Sequence, residues 1–299
     1  MKAITKTGRN AVTSVHSPNA GRYFAHFLGR TALYVPLAGL SIMFALPLVW
    51  AASTSLKPVP QIYRIPPEWV PNPFIWRNYV DAMIYVPFLR YIGNTLQIAI
   101  PSTIGAVLSS AIVAYGFSRW NWPMRELFFL ICIATMMIPY QVTMVPLFII
   151  FTRIHWINTY LPMIVPSFFG SPYYIFLLRQ FFLTIPRELS DAAEVDGCTE
   201  WQTMLRIVFP LSVPALATVA IFSFMWSWND YIRPLLYLKN PDLFTVSIGL
   251  SRYQAGGYTQ PRWSLLMAAS MTTILPMLVL FFFAQRTFIE GITMTGIKG

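Results

Sequence analysis

Six stretches of this chain contain no Asp, Glu, Lys or Arg. They are Thr31–Leu56, Tyr91–Ser118, Leu127–Thr152, Ile154–Leu178, Ile207–Asn229 and Trp263–Gln285, and they run for 26, 28, 26, 25, 23 and 23 residues. A helix needs about 20 apolar residues to cross about 30 Å of hydrocarbon, so each stretch can span a bilayer with polar ends to spare. The composition leaves little alternative. Apolar residues make up 56% of the 299 and charged residues only 11%, whereas a soluble domain carries about 25% charge. A chain this poor in charge cannot coat a water-facing surface, which excludes a soluble enzyme. The predicted class is an all-α membrane protein with six transmembrane helices.

The net charge of +10 does not indicate a nucleic-acid-binding protein. Such a site gathers basic residues on one face, and here they are spread thinly between apolar runs. The charge has a better use in topology. With the N-terminus inside, the inner segments hold 12 Lys and Arg and the outer loops 9. The positive-inside rule then favours both termini in the cytoplasm, by a small margin. Residues 1–30 carry Lys2, Lys6, Arg9, Arg22 and Arg30, no acid, and many Ser, Thr, Asn and Gly residues, the composition of a partly disordered tail. No apolar core precedes Thr31, so the tail does not read as a cleavable signal. The expected organisation is a tail (1–30), a first span (31–56), an extracytoplasmic loop (57–90), a transmembrane core (91–285) and a second tail (286–299). Cys132 and Cys198 fall in a span and in a cytoplasmic loop, and give no disulfide framework.

Proline is frequent within the spans: Pro36, Pro47, Pro101, Pro139, Pro146, Pro162, Pro166, Pro210, Pro214 and Pro276. Each frees a backbone carbonyl and bends its helix, which lipid tolerates where a neighbour meets the freed group. Two readings remain open at this point: ordinary helix packing, or a bundle that rocks.

The loop Arg179–Arg206 is unlike the others. It holds Glu188, Asp191, Glu194, Asp196 and Glu200, five of the eleven acids in the chain. Pro186 suits the start of a helix, and Glu188 and Asp191 complement the positive N-terminal end of its dipole. Leu189, Ala192 and Ala193 fall at i, i+3 and i+4 on one face. Gly197 can close that helix in a left-handed conformation. Thr199-Glu200-Trp201-Gln202 fits a capping box opening a second helix, which runs through Met204 and Leu205 into the fifth span. A helix lying on the membrane surface is the other reading of this pattern, but such helices favour Lys and Arg on their polar face.

The run Asp191-Ala192-Ala193-Glu194-Val195-Asp196-Gly197, nine residues, then Ile207-Val208-Phe209-Pro210 resembles the EAA signature of ABC importer permeases. That signature is Glu-Ala-Ala, three residues, Gly, nine residues, Ile-x-Leu-Pro. The spacing matches throughout, while Asp191 stands for Glu and Phe209 for Leu. Phe176–Phe182, Trp228-Asn229-Asp230 with Pro234-Leu235, Thr54–Lys57, Pro66–Tyr79 and the end from Gln285 to Gly299 are similar to the carbohydrate-uptake members of that family. The likeness covers residues 33–299, and the nearest type is the permease of maltose-like and glycerol-phosphate-like importers.

The resemblance implies a type I ABC importer permease fold in a prokaryotic cell (inner) membrane, multi-pass and surrounded by lipid, with N- and C-termini cytoplasmic. It implies that residues 179–206 form the coupling loop, with Asp191, Ala192, Ala193, Asp196 and Gly197 contacting a cytoplasmic ATPase. It further implies a second permease subunit in a heterodimer, two ABC ATPase subunits that bind ATP and Mg, and an extracytoplasmic solute-binding protein. No cofactor is expected in this chain and no nucleic acid partner. The sequence has no Gly-x-x-x-x-Gly-Lys-Ser/Thr phosphate loop, and His16, His26 and His155 are scattered, so neither an ATPase nor a metal site is expected.

The substrate path is less marked. No charged residue lies inside a predicted span, which favours a neutral sugar or polyol over an anion. Asn94, Tyr140, Gln141, Trp226, Trp228 and Asn229 offer hydrogen bonds for hydroxyls and flat faces for stacking. Helix packing and interfacial aromatic belts account for such residues equally well, and the resemblance implies that the main sugar site lies in the partner permease. Tyr253, Gly256, Gly257 and Tyr258, in the loop Asp230–Arg262, are expected to meet the binding protein. Two alternatives stay open: a self-sufficient secondary transporter or channel, and a membrane anchor recruiting a partner through 179–206.

Overall fold

A computed structural model describes the backbone of residues 20–254 and 262–296. Among these residues the chain is helical, with no strand. The helices are α1 (Ala20–Ser55), α2 (Val59–Ile62), α3 (Arg77–Tyr85), α4 (Phe88–Ser118), α5 (Arg125–Ala134), α6 (Tyr140–Arg153), α7 (Leu161–Ile164), α8 (Pro172–Thr184), α9 (Glu188–Val195), α10 (Glu200–Thr203), α11 (Phe209–Leu211), α12 (Val213–Trp228), α13 (Ile232–Tyr237), α14 (Val246–Arg252) and α15 (Trp263–Gly296). Met1–Trp50 and Ala51–Gly299 are two compact units. In the first, α1 starts eleven residues before the predicted span, and its side chains at residues 32–49 are exposed.

Four helical stretches are long and apolar enough to cross a membrane: Ala32–Ser55, Phe88–Ser118, Leu161–Thr184 and Trp263–Phe283. The two remaining charge-free runs are broken. Arg125–Met137 and Tyr140–Arg153 meet at 94°, and Glu200–Leu211 meets Val213–Trp228 at 79°. The first break sits at Pro139, which forces the preceding Ile138 into extended backbone at φ −81°, ψ 112°. In the second, Pro210 and Pro214 remove amide donors, the stretch Met204–Val208 widens to a π-helix, and Ser212 meets the Val208 carbonyl through both its amide (3.0 Å) and its hydroxyl (2.6 Å). The prolines were visible in the sequence. The size of each turn was not, because an absence of charge reports apolar length and says nothing of backbone direction.

The fourth span also starts later than its charge gap. Seven residues separate α6 from α7, with His155 and Asn158 at positive φ, so the reversal is longer than the single charged residue, Arg153, that divides the two charge-free runs. At the other end, Arg179 lies inside α8 and is buried, although its charge marked the predicted end of the span.

α4 is the axis of the second unit. In lipid, packing rather than water exclusion holds helices together, and small residues allow close approach. α4 offers Ser102, Ala106, Ser110, Ala111 and Ala114, all buried. At Gly105 even a methyl group would lie 2.6 Å from the Phe168 ring, so glycine alone admits that contact. The facing stretch, α7 and the 3-10 turn Val165–Phe169, is irregular, and inside a lipid-crossing segment such backbone must find protein partners. α4 supplies the missing partners: Ser102 Oγ donates to the Met163 carbonyl at 3.1 Å, and Ser110 Oγ accepts from the Ser171 amide at 3.1 Å.

Three apolar clusters string along this helix. Phe88 and Tyr91 join α3, α14 and α15 at one end. Ile98 meets Phe151, Met163, Tyr237 and Leu238. Ala111, Ala114 and Tyr115 pack with Leu178, Phe182, Met204, Val208 and Val219 at the other end. The segment after span five, expected as an outer loop, thus returns its α13 and α14 against the bundle.

Candidate functional site

The loop between α8 and α12 carries the acidic run, and its local structure follows from short-range chemistry. α9 opens after Pro186 with Glu188 and Asp191 in its first turn. It closes as its glycine predicts. Gly197 has φ +81°, the Cys198 amide donates to the Ala193 carbonyl at 2.9 Å, and the Gly197 amide donates to Glu194 at 3.0 Å. This pair of bonds satisfies carbonyls left over at the helix end. α10 then starts on the predicted capping box. Thr199 Oγ1 accepts from the Gln202 amide at 3.4 Å, and Gln202 Oε1 accepts from the Thr199 amide at 2.8 Å.

Of the expected face Leu189, Ala192 and Ala193, only Ala193 is buried, at 5% exposure. Leu189, Asp191, Ala192, Val195, Asp196 and Gly197 are all exposed. The turn at Gly197 is open as well, since nothing lies within 4 Å of where a methyl group would point. α9 therefore turns most of its surface away from its own chain.

Behind α9 lies a cleft of about 500 Å³, lined by Tyr115, Arg119, Arg187, Asp191, Glu194 and Glu200 among others. Burial pushes the Arg119 guanidinium below its ordinary range; the nearby Arg187 adds to the shift and Asp191 opposes it. Arg119 Nη2 donates to the carbonyls of Phe182 at 2.7 Å and Ile185 at 2.8 Å, capping the end of α8. The favour is returned by Arg179, whose Nε donates to the Phe117 carbonyl at 3.1 Å near the end of α4. Arg179 Nη2 also holds both oxygens of Glu126, at 2.8 and 2.9 Å, and its guanidinium sits 4.0 Å from the Phe129 ring centre. Tyr115 donates its hydroxyl to Glu200 Oε2 at 2.8 Å. Sequence reading did not single out Tyr115, Arg119, Glu126 or Glu200 as partners. The available signal was only that Arg119 and Glu126 border charge-free runs.

The substrate-path candidates have separate neighbours. Asn94 donates both amide hydrogens to backbone, at Asp242 (2.7 Å) and Phe244 (3.0 Å). Tyr140 lies 3.2 Å from the Tyr237 hydroxyl, while Gln141 is exposed. Trp228 is 1% exposed and stacks on Phe224. Trp226 and Asn229 are exposed, the latter donating to the Met225 carbonyl at 2.8 Å. Beside them Asp230 and Arg233 form a half-buried ion pair at 2.5 Å, a charged group close to the bundle that the gap analysis placed in an outer loop. Tyr253 is buried, donating to the Ala82 carbonyl at 2.6 Å; Gly256, Gly257 and Tyr258 lie outside the described residues. Among the described residues no group of three or more His, Cys, Asp or Glu could hold a metal ion.

Known proteins place this arrangement. The chain is 33% identical over 273 residues to the arabinooligosaccharides transport system permease protein AraQ of Halalkalibacterium halodurans, covering 89% of this chain and 96% of that protein. It is 30% identical over 288 residues to the sulfoquinovosyl glycerol transport system permease protein SmoH of Agrobacterium fabrum, covering 96% and 99%. Its fold matches a chain of a bacterial ABC transporter involved in the import of the acidic polysaccharide alginate, with TM-score 0.76 and 18% identity over 90% of this chain and 98% of that one. Residues 106–292, which include the whole 179–206 loop, match the family described as binding-protein-dependent transport system inner membrane component, and the chain is a multi-pass membrane protein belonging to that family.

Proposed function

We propose that this chain is the transmembrane permease subunit of a carbohydrate ABC importer in a prokaryotic inner membrane. The observation that carries the reading is α9 itself: a short helix held at both ends, closed by a left-handed glycine and exposed over nearly all its surface. Such an element is built to enter a partner. Its acidic rim and small apolar face suit a groove on a cytoplasmic ATPase, with Asp191, Ala192, Ala193, Asp196 and Gly197 as the contact. Two ATPase subunits would bind ATP and Mg, a second permease would complete a heterodimer, and a solute-binding protein would deliver substrate from outside. N- and C-termini are then cytoplasmic. A sugar or polyol as cargo is supported by what AraQ and SmoH are named for. Tyr140, Gln141, Trp228 and Asn229 are the candidates for lining the path, and Asn94 for holding its outer rim.

Two measurements test this. A Val195→Cys variant, 87% exposed at that position, should react with a membrane-impermeant maleimide only in inside-out vesicles; reaction in intact cells would overturn the orientation. Gly197→Val should leave membrane insertion unchanged and cut the yield of co-purified ATPase at least several-fold. Unchanged co-purification would show that the turn is not part of the contact.

A further inference from the structure

Both ends of the coupling segment are fastened to one face of one helix. Within α9 only Ala193 is buried, so the helix grips the bundle weakly through its own surface. A push on α9 leaves instead through its ends. The entering end is the close of α8, where the carbonyls of Phe182 and Ile185 accept from Arg119 at 2.7 and 2.8 Å. The leaving end is α10, where Glu200 accepts from Tyr115 at 2.8 Å. Tyr115 and Arg119 are four residues apart and so share a face of the last turn of α4. The Arg119 amide also donates to the Tyr115 carbonyl at 2.9 Å.

From that turn α4 runs unbroken for 31 residues back to Phe88. Near its far end Asn94 donates to the backbone of Asp242 and Phe244, Thr95 Oγ1 accepts from the Val246 amide at 2.9 Å, and Arg90 pairs with Asp242. Sliding of α8 along α4 would break the Arg119 bonds and the reciprocal Arg179 bond to Phe117 together. Arginine suits this post better than lysine, because its planar fork holds donors in fixed directions and a flexible ammonium does not.

We propose that Tyr115 and Arg119 are positioning residues for coupling. They make α9 and the opposite end of α4, with the segment 239–246 bound to it, move as one body when the ATPases close. The inference rests on the reading that α9 docks on an ATPase, and it names the residues that receive the stroke.

The test is an intrachain distance in the full permease–ATPase complex. Spin labels go on Val195→Cys and Lys239→Cys, both exposed positions, in a chain whose Cys132 and Cys198 are replaced by alanine. The distance is read by pulsed electron resonance with and without Mg and a non-hydrolysable ATP analogue. In the parent, one narrow distance should stay unchanged on adding nucleotide. In the Tyr115→Phe/Arg119→Lys double variant, the distribution should shift or broaden with nucleotide at normal complex yield. Glu200→Gln, which keeps an acceptor for Tyr115, should behave as the parent. A double variant as narrow and nucleotide-insensitive as the parent overturns the proposal, as does a parent whose distance itself shifts. If the double variant does not assemble, Tyr115→Phe alone is read in the same way. Failure of the unsubstituted chain to co-purify with an ATPase would instead remove the docking reading, before any label is measured.

Discussion

Arg179 and Glu126 touch at 2.8 Å, yet the two residues stand in different media. The Arg179 side chain is 10% exposed and that of Glu126 is 63% exposed. Water screens the pair from the glutamate side, so the attraction itself adds little to stability. Arg179 does more than pair, because its Nε also satisfies the Phe117 carbonyl. Removing that donor costs about 1 kcal/mol for the lost hydrogen bond, in addition to the lost ring contact. Arg179→Met should therefore lower the unfolding midpoint of the purified complex clearly, and Glu126→Gln should barely move it. Equal losses would contradict this account. Sequence reading met Arg179 only as the charge that closes a span. Its burial depends on a carbonyl brought near by α4, and no count along the chain contains it. Gly197 was legible for the opposite reason, since everything that demands φ +81° there lies within five residues of it.

The same division holds for whole elements. The capping box of α10 was readable because its two bonds join Thr199 to Gln202. Thr199→Ala should cost about 1 kcal/mol of local helix stability. Amide exchange in residues 200–203 should speed up accordingly, while exchange in α12 stays as it was; faster exchange in α12 as well would mean that the cap supports more than α10. The broken spans were harder. Pro139, Pro210 and Pro214 marked where bending was permitted, but turns of 94° and 79° depend on what lies opposite. The irregular stretch before α8 finds backbone partners in Ser102, Ser109 and Ser110 of α4. Those serines read in sequence as ordinary polar residues of a span.

Across the molecule, three apolar clusters share one helix. Opening the middle of α4 requires disturbing all of them, so residues 98–114 should be the slowest to exchange their amides with deuterium. A slower helix elsewhere in the second unit would show that the bundle is not organised around α4. The sequence carried the number of apolar runs, the acidic loop and its family likeness, all of which depend on composition and local spacing. The central role of α4 was not legible, because its small residues acquire meaning only beside their neighbours. The exposed surface of α9 carries a separate consequence. Leu189 and Ala192 contribute little to holding the chain together, so they are free to drift with whatever protein the proposed contact engages. Natural variation, or a designer, could refit the proposed contact to a different partner by rewriting those few side chains while leaving the membrane-embedded framework as it is.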